Sequence, residues 1–190
     1  MDRQEALTLL KTHLKDDKLV KHCLATEAIM KALAVRLGEN PDTWGLAGLL
    51  HDIDFEETRN TPAQHTLPAA ELLGRAGVSG EIIGAIREHN AEALGIQRAA
   101  KLGIALASAE TLTGLIVAVA LVMPDKKLAA VKAKSVIKRM KEKDFARAVN
   151  RDIIRECEKL GLSLEDTDRG PGFVTLSIAA MQAIAGELGL

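Results

Sequence analysis

The sequence has no tyrosine, and Trp44 with three phenylalanines is its whole aromatic content. Strand-rich folds draw on aromatic and β-branched residues, so a chain dominated by Ala, Leu, Glu and Lys reads as all-α. The same scarcity removes the stacking platforms on which single-stranded nucleic acids bind, which argues against a nucleic-acid partner. Cysteine is almost missing too. Cys23 and Cys157 are far apart and form no paired motif, which excludes a disulfide framework and a zinc knuckle and fits a reducing cytoplasm.

No Pro- or Gly-rich linker divides the chain, and 190 residues with 47% hydrophobic content can bury one sizeable core. A single domain over residues 1–190 is expected, with a core at 17–123 and a basic helix and C-terminal helices at 125–190. The N-terminal segment MDRQEALTLLKTHLKDD is charged from its second residue and lacks the apolar stretch of a signal peptide. It reads as an amphipathic helix. Residues 112–123, LTGLIVAVALVM, carry no charge but number only twelve, whereas a bilayer crossing takes about 20. A buried core helix is expected there, and no membrane partner.

Charge of one sign is concentrated in a single place. The formal net charge is −1, yet residues 126–151 hold ten Lys and Arg against Glu142 and Asp144. Such a block attracts anions.

Helical periodicity runs almost end to end. Helices are expected over 2–14, over 17–37 before Gly38, and after Pro41 through WGLAGLLHD. The polar segment IDFEETRNTPAQHT reads as a loop, with Asp54, Glu56 and Glu57 in solvent. Pro68 opens a helix that ends near Arg75, and Ser79 caps one that ends near His89. A long helix over 98–123 stops at Pro124, and Asp125 caps a basic helix. Asn150 caps another that ends at Gly161, and VTLSIAAMQAIAGEL forms the last.

The histidines fall on apolar faces. His22 shares its face with Ala25, Ile29 and Leu33, and His89 with Ile82, Ala85 and Ile86. His51 and Asp52 close the apolar LAGLL. A single such histidine is most simply a core residue bonded to a carbonyl. Glu110 is harder to place, because its face neighbours include Gly103, Leu106, Ala107, Thr113, Gly114 and Val117. A buried carboxylate there needs a cation, and no Lys or Arg shares the face. Taken together, these inward imidazoles and carboxylates point to a bound divalent metal.

His22, the adjacent His51 and Asp52 at a helix end, and Glu110 beside an apolar run resemble the H…HD…D signature of the HD superfamily of metal-dependent phosphohydrolases. With His65 and His89 the pattern extends to H…HD…H…H…D, found in members that resemble one another in holding two metals. KHCLATEAIMKALA, the run from Trp44 to Phe55, and ETLTGLIVAVALV are similar to an uncharacterised branch of predicted HD hydrolases. The resemblance implies a first metal on His22, His51, Asp52 and Glu110 and a second on Asp52, His65 and His89. It implies one or two divalent transition ions (Mn, Fe, Co, Ni or Zn), with His51 and Asp52 central to catalysis.

The implied reaction is hydrolysis of a nucleotide or small phosphate ester by a metal-activated hydroxide. Lys134, Lys138, Arg147 and Arg151 are candidates to bind the remaining phosphate charge, the last two sharing a face if helical. Two positions depart from the family pattern: Glu110 stands where Asp is usual, and Asp54 where glycine is often found. Two other functions share the pattern, a di-iron HD-type oxygenase and a non-catalytic metal- or nucleotide-binding regulatory module.

Overall fold

Twelve α-helices and no strand make up the computed structural model, which describes residues 1–190. In chain order they are α1 (Arg3–His13), α2 (Asp17–Leu37), α3 (Pro41–Leu50), α4 (Phe55–Thr58), α5 (Leu67–Arg75) and α6 (Gly80–His89). There follow α7 (Ala91–Leu94), α8 (Lys101–Leu121), α9 (Ala133–Met140), α10 (Arg151–Arg155), α11 (Phe173–Ala183) and α12 (Ala185–Leu188). Ser79 and Asn150 cap α6 and α10 as expected, and Gly38 takes the left-handed conformation that ends α2; Asp16 and Asn40 likewise accept from the first free N–H groups of α2 and α3.

Helix α8 is the centre of the core. By length and composition alone it could cross a membrane, but 67% of its most apolar window is buried, against α2, α6, α10 and α11 among others. Its small residues Gly103, Ala105, Ala107 and Ala109 are buried and let neighbours come close. Helices α2 and α3 form the tightest pair, and Gly48 makes it possible: a Cβ there would lie 2.9 Å from the backbone N and Cα of Glu27. Because the two axes can approach this closely, His51 at the end of α3 comes level with His22 on α2.

Two segments differ from the sequence expectation. The basic stretch is not one helix but a 3-10 turn at Leu128–Ala130, the short α9, and turns up to Asn150. Lys126 and Ala146 adopt positive φ (53° and 43°), which interrupts any continuous helix. The loop after Asp52 contains α4, and its acidic residues are partly inside. Asp54 is 5% exposed, and Glu56 accepts from the backbone N–H groups of Lys15 and Asp16 at the start of α2.

Candidate metal centre

Five side chains from four places in the chain meet at one point: His22 from α2, His51 and Asp52 from the end of α3, His65 before α5, and His89 at the end of α6. The Asp52 carboxylate lies between two histidine pairs. Its Oδ2 is 3.5 Å from His51 Nε2 and 3.8 Å from His22 Nε2, while Oδ1 is 3.2 Å from His65 Nε2 and 3.5 Å from His89 Nε2. Glu110 stands at the rim, with Oε2 3.9 Å from His22 Nε2. No Lys or Arg lies within ion-pair distance of it.

The hydrogen bonds on the far side of each ring decide which nitrogen carries a proton. His51 Nδ1 lies 2.9 Å from Gly48 O and His89 Nδ1 lies 2.6 Å from Ile86 O, and a carbonyl can only accept. Thr113 donates its hydroxyl to Glu110 O at 2.6 Å and therefore accepts from His22 Nδ1 at 2.9 Å. His65 donates Nδ1–H to Asp54 Oδ1 at 2.8 Å. All four Nε2 atoms thus face inward.

His22 Nε2 and His51 Nε2 are 3.1 Å apart, as are His65 Nε2 and His89 Nε2. For the first pair this is a contact between two lone pairs with no hydrogen to share. It fits a cation held between imidazoles whose outer N–H groups are already bound, the arrangement usual around metal ions.

Burial lowers the His51 pKa to about 3, so this ring stays neutral. Burial works against the Asp52 carboxylate, but the histidines around it outweigh burial and hold the group well below the usual carboxylate range. For His65, burial is overcome by hydrogen bonds to Asp52 and Asp54, and the pKa rises to about 9. Without metal, a proton on His65 Nε2 therefore serves Asp52 and His89, where a divalent ion would serve them instead. Burial raises the Glu110 pKa against the pull of His89 and His22.

Several residues that hold this arrangement were given no such role in the sequence, where Asp54 was expected in solvent. Asp54 accepts from His65 Nδ1 and also from the backbone N–H groups of Thr66 (2.8 Å) and Ala69 (3.2 Å), so it orients the ring and caps α5. Thr66 is buried at φ 78°, a strained conformation for a β-branched residue, and the Asp54 contact helps keep it there. Arg98 donates to Glu88 O and His89 O, which fixes the end of α6, and is itself held by Glu92 and Glu156. Only the acidic residue two places after the HD pair could have hinted at the first of these roles.

The four basic candidates are not gathered at the centre. Lys134 and Lys138 lie on the solvent side of α9, and Arg147 is exposed beside Asp144. Arg151 turns onto the carbonyls of Ala146, Val149 and Phe145, holding the preceding turns together.

Residues 19–120 match the family model described as HD domain. Over 74 residues the chain is 34% identical to Ribonuclease Y of Thermosipho melanesiensis, a match covering 39% of this chain and 14% of that protein. No solved structure matches. The matched span takes in more than half of the chain and every residue that meets at Asp52, and on this ground the chain belongs to the HD domain family.

Proposed function

We propose that the protein is a metal-dependent phosphohydrolase with two divalent ions, one on His22, His51 and Asp52 with Glu110 at the rim, the other on Asp52, His65 and His89. The observation that carries this reading is the division of the Asp52 carboxylate, one oxygen facing each histidine pair. HD domains as a family are generally metal-dependent hydrolases, and the matched relative is named as a ribonuclease. RNA cleavage is itself phosphoester chemistry. When bound, two such ions supply a water of lowered pKa and positive charge for the phosphoryl oxygens.

The residues of this chain do the rest. His51 and His89, tied to carbonyls of their own helix ends, keep their Nε2 lone pairs aimed inward. Access is one-sided: the side chains of His22 and Glu110 are 25% and 22% exposed, whereas those of the other four are at most 11% exposed. Substrate therefore approaches past His22 and Glu110. The two unpaired cysteines are buried thiols, which supports a cytoplasmic setting.

The test is elemental analysis of the purified protein, followed by a phosphoester panel with Mn, Co, Ni, Mg and Fe under anaerobic conditions. Two ions per chain and phosphate release without oxygen are expected. Oxygen uptake with an iron-loaded protein and no phosphate release would overturn the reading in favour of the oxygenase.

A further inference from the structure

A cavity of about 380 Å³ lies between α2 and α8 and shares His22, one of the two exposed residues of the metal centre, as part of its lining. That is the size of a small-molecule site. Lys18, Lys21, His22 and Ala25 line it from one stripe of α2, being spaced three, four and seven residues along the helix. Its inner end is the His22–Thr113 hydrogen bond, so a ligand in the groove touches the back of a ring whose Nε2 faces Asp52. Its length is walled by Val117, Leu121, Leu188 and Leu190.

We propose that this groove holds the organic part of the substrate and that this part is aliphatic, so that the protein acts on phosphate esters of apolar alcohols. The chemistry rests on the phosphohydrolase reading; the binding preference does not. Apart from the His22 imidazole, the lining contains no aromatic ring on which a base would stack, and no carboxylate or carboxamide. Thr113 already spends its hydroxyl proton on Glu110 O. A nucleobase there would leave its N–H donors without a side-chain acceptor, whereas an alkyl chain asks only for the aliphatic walls.

The apolar surface continues to the mouth, where Leu121 is 50% exposed and the adjoining Val122 is 57% exposed. Charge is supplied from the α2 side. Lys18 makes no ion pair and Lys21 shares only the exposed Asp17, so both ammonium groups, within one helical turn of His22 along α2, are free to meet phosphate oxygens. An anionic head against the lysines and His22 of α2 and an alkyl tail against Val117, Leu121, Leu188 and Leu190 match the two sides of the groove in charge and polarity.

The experiment is calorimetric titration of Mn-loaded protein with methyl-, butyl-, hexyl- and octylphosphonate, beside phosphate release from the matching alkyl phosphates and from ribose 5-phosphate. Affinity is expected to rise about fourfold per methylene, the factor equivalent to about 0.8 kcal/mol of buried CH₂, until the groove is filled. Two variants place the chain. Gly114→Leu adds bulk at a lining position, where a Cβ is tolerated with only Val149 Cγ2 at 3.7 Å, and Leu121→Asp puts a charge on the exposed wall.

Each is expected to cut the octyl-to-methyl affinity ratio at least tenfold, with metal content per chain as the check that the centre is intact. A flat series in the wild type, or a steep one that neither variant changes, overturns the proposal. A steep phosphonate series with no ester hydrolysed would instead remove the phosphohydrolase reading and leave the groove assignment standing.

Discussion

Asp54 carries three buried hydrogen bonds for a residue that is not itself aimed at the metal position, and replacing it separates its two tasks. In Asp54→Asn the amide has one oxygen. If that oxygen keeps Thr66 N and Ala69 N, the amide NH₂ faces His65 Nδ1, which must then accept. The ring proton moves to Nε2, the atom 3.1 Å from His89 Nε2 and 3.2 Å from Asp52 Oδ1.

Charge-assisted bonds worth about 1.5–3 kcal/mol become neutral ones worth about 1 kcal/mol, so a loss of about 1–3 kcal/mol in the metal-free protein is expected. Metal affinity at the His65 side should fall by about 10–100-fold, as for other lost partners of ligating histidines. Asp54→Ala is the harsher change. It strands two N–H groups of residues that are fully buried, at a cost of about 3–5 kcal/mol. For a chain of this size that lowers Tm by about 6–20 °C. Urea unfolding without metal measures the first quantity and calorimetric metal titration the second. If Asp54→Asn binds both ions as tightly as wild type, Asp54 does not set the His65 tautomer.

Three further outcomes are expected. His65→Ala or His89→Ala should lose about one ion per chain and retain the other, since each faces only Oδ1 of Asp52; unchanged stoichiometry by elemental analysis would mean one ion. Glu110→Ala should be tolerated without metal, because burial raises its pKa and no Lys or Arg pairs with it, but should weaken the gain of about 2.7 kcal/mol that an ion confers at a hundred times its Kd. Equal metal-induced shifts in Tm for the variant and wild type would remove Glu110 from the site. In the metal-free protein His51, lowered from 6.5 to about 3, costs stability as pH falls below 6.5, whereas the contribution of His65, raised to about 9, is full below 6.5 and gone above 9. Denaturation midpoints should therefore peak near pH 6.5 without metal, and saturating metal should abolish the alkaline decline.

The helices and their ends were legible because they depend on neighbours in sequence. Ser79, Asn150, Gly38 and Gly161 mark ends by local hydrogen bonding and local backbone freedom. The convergence on Asp52 was legible for a related reason, since each histidine sits on a face or at an end that apolar neighbours force inward. The basic stretch misled. Asp125 does accept from Lys127 N, as a helix cap would, but no helix follows it directly. Arg151 instead gathers carbonyls across the turns before it, a tertiary contact without periodicity. Asp54 misled in the same way. A carboxylate in a polar loop is ordinarily solvated, and only the folded chain brings His65, Thr66 and Ala69 around it.

The charges at the centre explain why this arrangement favours a metal over an ordinary buried ion pair. Asp52, Asp54 and Glu110 bring three carboxyl groups together, and every ion-pair partner within reach of them is a histidine. Of those histidines, His51 is held neutral by burial, and the raised pKa of His65 is matched by Asp54 as well as Asp52. A lysine or arginine would have balanced the site more simply, as Arg98 does for Glu92 and Glu156 on the far side of His89. No such residue reaches Asp52 or Glu110. Buried carboxylates without a resident cation are costly, and imidazole lone pairs turned toward one another add repulsion. A divalent ion between the rings relieves both at once, whereas a proton shifted to His22 Nε2 would relieve only the lone-pair contact and leave the carboxylates unbalanced.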